Sequence, residues 1–399
     1  MRALVFVLML LFQLVAFSQD RVSQYLNSVE EGRHWKAVTE QQNFLGKASF
    51  KSPLVREFDL RIVTDELAPT IDDYRLRIGL MNPGEIKANK AYNSQYQRVF
   101  EQKTMALKNV LLAEKYRKLI DMISAVEQVR LRDEFVGQLS ELTELYGASL
   151  GIKDAIKLDE KLLQQEILLI EGQSQLQAIK LTIGVQIEEL QSIVWSDLPL
   201  VTVEDMVVEL DRLDEEASST RFDLLAAKLA LNEAALRLEK AQSRRNLGFI
   251  QPEFSPGDNG SFTERVGLQI GINIPLVNTD KPKLAYEALD KIEDDYDKQA
   301  SVEIDELNSQ LLRVSFDQSR VKYTQYTEKL LQLKGLLTAT STVEFDESYG
   351  YLSYVTQVKI EAHQAYCEMM EDFVSILAAR QVLSGLPMRN YLYTSFPAL

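Results

Sequence analysis

His363 and Cys367 stand four apart in a helical stretch. That spacing sets an imidazole and a thiol about one turn apart on one helix face, where two metal ligands could lie side by side. A helix-packing pair is the plainer reading, and no metal is expected. The chain holds only two histidines, His34 and His363, and a single cysteine. It has no Gly-x-Ser-x-Gly, no phosphate-binding loop and no Gly-x-Gly-x-x-Gly opening a helix, so neither an activated nucleophile nor a phosphate cradle is legible. Carboxylate runs such as "EIDEL", "EEASS" and "KIEDDYD" mimic acid–base pairs but read better as solvated helix faces. Tyr349, Tyr351 and Tyr354 could stack a ligand or pack between helix ends. The residues therefore point to no catalytic group, no cofactor and no enzyme.

Composition narrows the class. The 399 residues are 46% hydrophobic and 26% charged, with a formal net charge of −15. Nucleic acid, which demands basic surface, is excluded as a partner. The opening "MRALVFVLMLLFQLVAFSQD" has Arg2, an apolar run interrupted only by Gln13, and small residues at Ala16 and Ser18. This is the pattern of a secretory signal over residues 1–18, cleaved before Gln19; an uncleaved anchor or a buried helix is the alternative. No later segment approaches the ~18 apolar residues of a spanning helix. The lone Cys367 permits no internal disulfide.

The elements that position these residues are mostly helical. Residues 20–48 read as one helix. "VREFDLRIVT" then puts Phe58, Leu60 and Ile62 on one face and Glu57, Asp59 and Arg61 on the other. "DYRLRIGLM" sets Tyr74, Leu76, Ile78 and Leu80 against Arg75, Arg77 and Gly79. Both have the period-2 pattern of half-buried strands and form a β-hairpin over 54–82. A long helix is expected from about Ile86 to Tyr146, with a heptad seam at Leu112, Tyr116, Leu119, Ile123 and Val126 that resumes in a new phase at Phe135, Leu139, Leu142 and Tyr146. At 1.5 Å per residue it would span roughly 90 Å. "YGASLG" breaks it, and a return helix runs to about Ile193. An acidic linker, 196–219, follows.

The second half reads in the same order. A helix leads to a weak strand, "LGFIQPEF", a turn-forming loop, and "ERVGLQIGINIPL", whose Val266, Leu268, Ile270, Ile272 and Ile274 alternate with Gly267, Gln269, Gly271 and Asn273. That β-hairpin covers 247–277. A long helix runs from about Pro282 to Leu337, a break is expected at "DESYG", and a return helix runs to Leu383. "LRIGL" at Leu76 and "LQIGI" at Leu268, and the Ser-x-Gly pairs at Ser149–Gly151 and Ser348–Gly350, recur at nearly equal offsets. They suggest a duplicated unit: repeat 1 over 19–195, repeat 2 over 220–388, and a C-terminal tail at 389–399.

Four strands with one strictly apolar face raise the question of what that face meets. Helices packed on a soluble sheet are one answer, but the predicted helices are too long for so small a sheet. Lipid is the other. Strands survive in a bilayer only as a closed barrel, and natural barrels start at about eight strands, so several copies would have to contribute. Phe58, Leu60, Ile62, Leu76, Ile78, Leu268, Ile270 and Ile272 would then face lipid. Asp59, Arg61, Arg75, Arg77, Gln269 and Asn273 would line a wet lumen.

These features together resemble the TolC-type outer membrane efflux proteins. The resemblance covers nearly the whole chain after the signal. It is carried by the order of elements, by "VGLQIGINIPLVN" leading into a long helix, by the tips "GASLGIKDAIKLDEKLL" and "SYGYLSYVTQVKIEAHQAY", and by "ILAARQVLSGLP". It implies a mainly α fold with a small β part: four strands per chain entering a trimeric transmembrane β-barrel, and long α-helical hairpins, with coiled-coil packing, forming a periplasmic tunnel. It implies a homotrimer in the cell outer membrane, reaching into the periplasm. Such a channel would be the exit duct of a tripartite efflux or type I secretion system, a passive route for transport from an inner-membrane transporter with a periplasmic adaptor, or membrane fusion protein. It places the periplasmic tips and gate at Ser149, Gly151, Asp154, Asp346, Glu347, Gly350, Tyr351 and Tyr354, Pro83, Pro275 and Pro282 at strand-to-helix corners, and the acidic linker 196–219 as an equatorial segment in the band around the tunnel's middle. The family's acidic gate positions fall on Tyr351 and Tyr354, and helix 20–48 is poorly matched. A periplasmic coiled-coil adaptor or scaffold with a soluble β domain is the alternative, although adaptors usually carry one helical hairpin and more strands.

Overall fold

The computed structural model describes residues 21–47, 55–63, 73–146, 152–184, 199–216, 223–243, 248–256, 265–272, 281–337, 345–385, 387–394 and 396–397. The predicted signal segment lies outside them. Helices α1 (Arg33–Lys47), α2 (Pro83–Tyr146), α3 (Ile152–Gly184), α4 (Val203–Glu216), α5 (Asp223–Ser243), α6 (Lys281–Leu337) and α7 (Phe345–Ala379) accompany strands β1 (Val55–Val63), β2 (Asp73–Leu80), β3 (Phe249–Phe254) and β4 (Val266–Gly271). The mainly helical fold with a small sheet is the one expected. The chain forms two compact units, one of Met1–Ala37, Met105–Arg221 and Ile304–Leu399, the other of Val38–Thr104 and Phe222–Glu303.

The first unit is helical and is organised by the heptad seam of α2. Leu112, Tyr116, Leu119 and Ile123 are buried, as are Phe135 and Leu139 after the phase change. Leu112, Tyr116, Leu119 and Ile123 pack in one core with Met369, Met370, Phe373 and Leu377 of α7, Met206, Leu210 and Leu213 of α4, and Val22, Tyr25 and Leu26. Each such side chain contributes roughly 1.5–3 kcal/mol when fully buried.

Three expectations need correction in this unit. Residues 20–48 do not form one helix. Residues 21–27 are helical, Ser28–Glu31 form a 3-10 turn, and Gly32 is extended at φ −63 and ψ 147 before α1 begins. Buried Lys115 of α2 holds this junction by donating to the Tyr25 carbonyl at 2.8 Å and the Ser28 hydroxyl at 2.6 Å. The acidic segment 196–219 is not merely a link, because it contains α4. A reciprocal capping box opens that helix: Asp205 N donates to Thr202 Oγ1 at 3.1 Å, and Thr202 N to Asp205 Oδ2 at 3.4 Å. The residues after 388 are not a loose tail. Asn390, Tyr391, Leu392 and Tyr393 are buried. Val201 N donates to the Leu392 carbonyl at 2.8 Å and Thr394 N to the Pro199 carbonyl at 3.1 Å. Tyr116 Oη donates to the Arg389 carbonyl at 2.9 Å.

The second unit carries the sheet, antiparallel throughout and ordered β1-β2-β3-β4. Register is Leu60↔Leu76 in the first hairpin and Ile250↔Ile270 in the second. Between them β2 pairs β3 at Tyr74↔Phe254 and Arg75↔Glu253, then at Ile78↔Ile250 and Gly79↔Phe249. The pairing lapses where β3 carries Pro252, which has no N–H to give the ladder; this explains why the strand reads weakly. At the other end of β2, Asn82 caps α2. Gly84 N donates to its Oδ1 at 3.0 Å, and Pro83 takes the first helical position.

Candidate functional site

The register sorts the sheet into two chemically opposite faces. Phe58, Leu60 and Ile62 of β1 stand opposite Ile78, Leu76 and Tyr74 of β2. Phe254, Pro252 and Ile250 of β3 stand opposite Val266, Leu268 and Ile270 of β4. All twelve fall on one face because alternate residues share a side of a strand. It is the exposed one: Phe58 is 67% exposed, Leu60 65%, Leu268 64% and Ile270 69%. Single exposed apolar residues are ordinary, but a contiguous apolar face marks an interaction surface. Ile272, just past β4, is equally exposed.

The other face is polar and internally paired. Arg61 bonds Asp59 at 2.8 Å. Arg75 bonds Asp73 at 2.9 Å and Glu253 at 3.4 Å. Gln251 Nε2 donates to Glu253 Oε1 at 2.6 Å, and Ser255 donates to Asp73. Arg77 lies over the Phe249 ring at 4.1 Å. Gln269 belongs to this face through its pairing with Gln251. The register thus places seven of the eight apolar candidates on the exposed face and five of the six polar ones on the other; Ile272 lies past the paired residues and Asn273 outside the described residues. Ile250 and Phe254 join the apolar face although Pro252 weakens the strand signal of β3.

Two helices carry apolar seams that also lie open. On α6, Ile304, Leu307, Leu311, Val314 and Val321 are exposed, at heptad steps of 3, 4, 3 and 7. On α3, Leu163, Ile167 and Ile170 are exposed with Ile152 and Ile156 before them. A coiled-coil seam without a partner is as informative as an apolar sheet face.

The predicted gate residues are only partly in view. Ser149 and Gly151 lie outside the described residues, and Asp154 falls in the first turn of α3. The residues of "DESYG" themselves, near which the break is expected, are helical. Asp346, Glu347, Ser348 and Gly350 all sit in the opening turns of α7, which begins at Phe345. Gly350 does not adopt a positive φ, so nothing local halts the helix. Side-chain contacts tie the segment down. The Tyr349 ring stands 6.4 Å from that of Phe135 and has Lys161 Nζ 3.7 Å above it. Tyr351 Oη donates to the Leu333 carbonyl of α6 at 3.0 Å. Tyr354 is half exposed.

His363 and Cys367 do meet, with Sγ 3.4 Å from Nε2. Cys367 is buried, and burial pushes its thiol up to about 12. Burial likewise depresses His363. A thiol held protonated is a poor metal ligand, and the pair packs between helices. Among the described residues no group of three or more His, Cys, Asp or Glu could hold a metal ion, and no helix is long and apolar enough to cross a membrane.

This combination defines a structural class: long helical hairpins joined to a four-stranded sheet with opposed apolar and charged faces. Solved structures share it. The outer-membrane channel OprN matches with a TM-score of 0.66 at 13% identity, over 90% of this chain and 89% of that one. The MtrE outer membrane channel of Neisseria gonorrhoeae, in its open state, matches with 0.61 at 11%, over 93% and 90%. CusC, studied for its folding and transmembrane channel formation, matches with 0.60 at 11%, over 90% and 92%. The chain thus has the fold of these outer-membrane channels. No family model matches the sequence, and no curated protein does.

Proposed function

We propose that the chain is a TolC-type outer membrane channel. Three copies would close a twelve-stranded barrel from four strands each, with β1 of one copy pairing β4 of the next. The observation that carries this reading is the two-faced sheet, apolar and exposed on one side, charged on the other, with both edges unpaired among the described residues. In water both the apolar face and the open edges are liabilities. In a closed barrel within a bilayer both are satisfied. β1, nine residues long, is about 30 Å from end to end and suits a tilted spanning strand.

The exposed seams of α6 and α3 are the surfaces on which neighbouring copies' helices would pack into a periplasmic tunnel. The order helix, hairpin, long helix, return helix occurs twice and fits an internal duplication. The channel would serve passively as the exit duct for an inner-membrane transporter, docked through a periplasmic adaptor at the helix ends near Gly151 and Gly350, with Asp154, Asp346, Glu347, Tyr351 and Tyr354 around the mouth. No residue is assigned a catalytic role.

Fractionation of cells expressing the full chain, followed by sizing in detergent and recording in planar bilayers, tests the reading. The expected result is an outer-membrane trimer that conducts. A monodisperse monomer, soluble without detergent, would overturn it and favour a periplasmic adaptor.

A further inference from the structure

On the charged face of the sheet, one cation is treated differently from the rest. Arg61 and Arg75 each carry a carboxylate, and Asp59, whose Cα is paired with that of Arg77, turns along its own strand to Arg61 instead. Among the described residues no carboxylate lies within ion-pair distance of Arg77. Its guanidinium rests on the face of Phe249, 4.1 Å from the ring centroid. The platform beneath is itself built. Phe249 is paired with Gly271, and a Cβ at Gly271 would fall 2.3 Å from a ring carbon of Phe249, so only glycine leaves room for the ring to lie there. Gly271, Phe249 and Arg77 form a stack spanning three adjacent strands. It lies toward the end of the sheet where β2 leads, through Leu80 and Asn82, into α2.

A guanidinium laid flat on an aromatic ring keeps its in-plane N–H edge for a second partner, and that edge matches carboxylate and phosphate oxygens. We propose that Arg77 on its Phe249–Gly271 platform is an anion-binding site, selective for phosphate-like or carboxylate groups. Resting on the channel reading for its location, it supplies one such site per chain to the lumen at the helix-proximal end of the barrel. Cargo bearing an anionic group would be retained there briefly, while neutral cargo would pass without pause.

The test uses the full chain in detergent and then in planar bilayers, with inorganic pyrophosphate as the probe. Calorimetry in detergent should show pyrophosphate binding to the parent. Arg77→Gln should weaken it about tenfold or more, as expected for loss of a charge-assisted, bidentate partner. Gly271→Val, which displaces the ring but keeps the charge, should weaken it as well. In bilayers, pyrophosphate should reduce the parent's conductance and spare that of Arg77→Gln. Equal binding by the parent and Arg77→Gln, or no binding by either, overturns the site. Binding to the parent without any conductance would instead overturn the channel reading and leave the site standing. An unaltered circular dichroism spectrum and oligomer size for Arg77→Gln separate loss of the site from loss of the fold.

Discussion

Arginine substitutions at Ile270 and Gln269 separate the two environments a two-faced sheet can occupy. The residues are adjacent on β4 and point to opposite faces, Ile270 paired with Ile250 and Gln269 with Gln251. In water, Ile270→Arg would place a charge on a side chain already 69% exposed. Such surface changes usually stay within about 0.5 kcal/mol. On the lipid face of a barrel the same arginine costs about 2–4 kcal/mol near the midplane. With about three copies per barrel, the assembled channel would lose roughly 6–12 kcal/mol, against a typical folding stability of about 5–15 kcal/mol. Gln269→Arg keeps the charge in the wet lumen and adds only a cation beside existing ion pairs. The assay is the yield of detergent-stable oligomer in the outer-membrane fraction, with single-channel conductance for whatever assembles. Ile270→Arg should lose most of its oligomer. Gln269→Arg should assemble at parental yield with altered conductance. Equal tolerance of the two arginines refutes lipid contact at this face, whatever else the chain does.

Other substitutions probe the helices. Gly350→Trp should leave the oligomer intact, because a Cβ at Gly350 meets nothing within 4 Å, yet it should abolish export in cells if adaptors dock there. Replacing Tyr351 and Tyr354 together by alanine removes the Tyr351 hydrogen bond to Leu333, worth about 1 kcal/mol, and should raise basal conductance in planar bilayers. Conductance equal to the parent's would exclude an aromatic gate. Thr202→Val deletes half of the capping box and should lower stability by about 1 kcal/mol, measured by the thermal midpoint in detergent. Cys367 should react with alkylating reagents at pH 8 about a thousandfold more slowly in the folded than in the unfolded chain, since burial holds its thiol near 12. From the ordinary thiol value up to about 12 the folded state keeps this proton and the unfolded state releases it. This thiol's contribution to stability is therefore lost as pH rises through that window.

The sequence by itself determined the local periodicities and therefore the elements. A period of two placed Phe58, Leu60, Leu268 and Ile270 on one side of their strands before any pairing was known. The 4-3 seam of Leu112, Tyr116, Leu119 and Ile123 fixed the buried face of α2, and Asn82-Pro83 and Thr202-x-x-Asp205 carry the chemistry of helix starts. These signals are legible because each is set by neighbours within one or two turns. The capping box of Thr202 and Asp205 is equally local, although the acidic residues around it give the segment the composition of a linker. Tertiary structure decided the rest. It joined the two hairpins through β2 and β3 despite Pro252, so that two short alternating stretches became one continuous apolar face. Partners distant in the sequence drew Tyr391, Leu392 and Tyr393 into the helical core, where Val201 N bonds the Leu392 carbonyl and the Tyr116 hydroxyl accepts from Tyr391 N. The helix through "DESYG" persists because Phe135, Lys161 and Leu333 contact its tyrosines. Arg77 stands without a carboxylate because Asp59 and Glu253 are engaged by other arginines. Each of these outcomes depends on contacts between groups far apart in the chain, and no short window of sequence contains both members of such a contact.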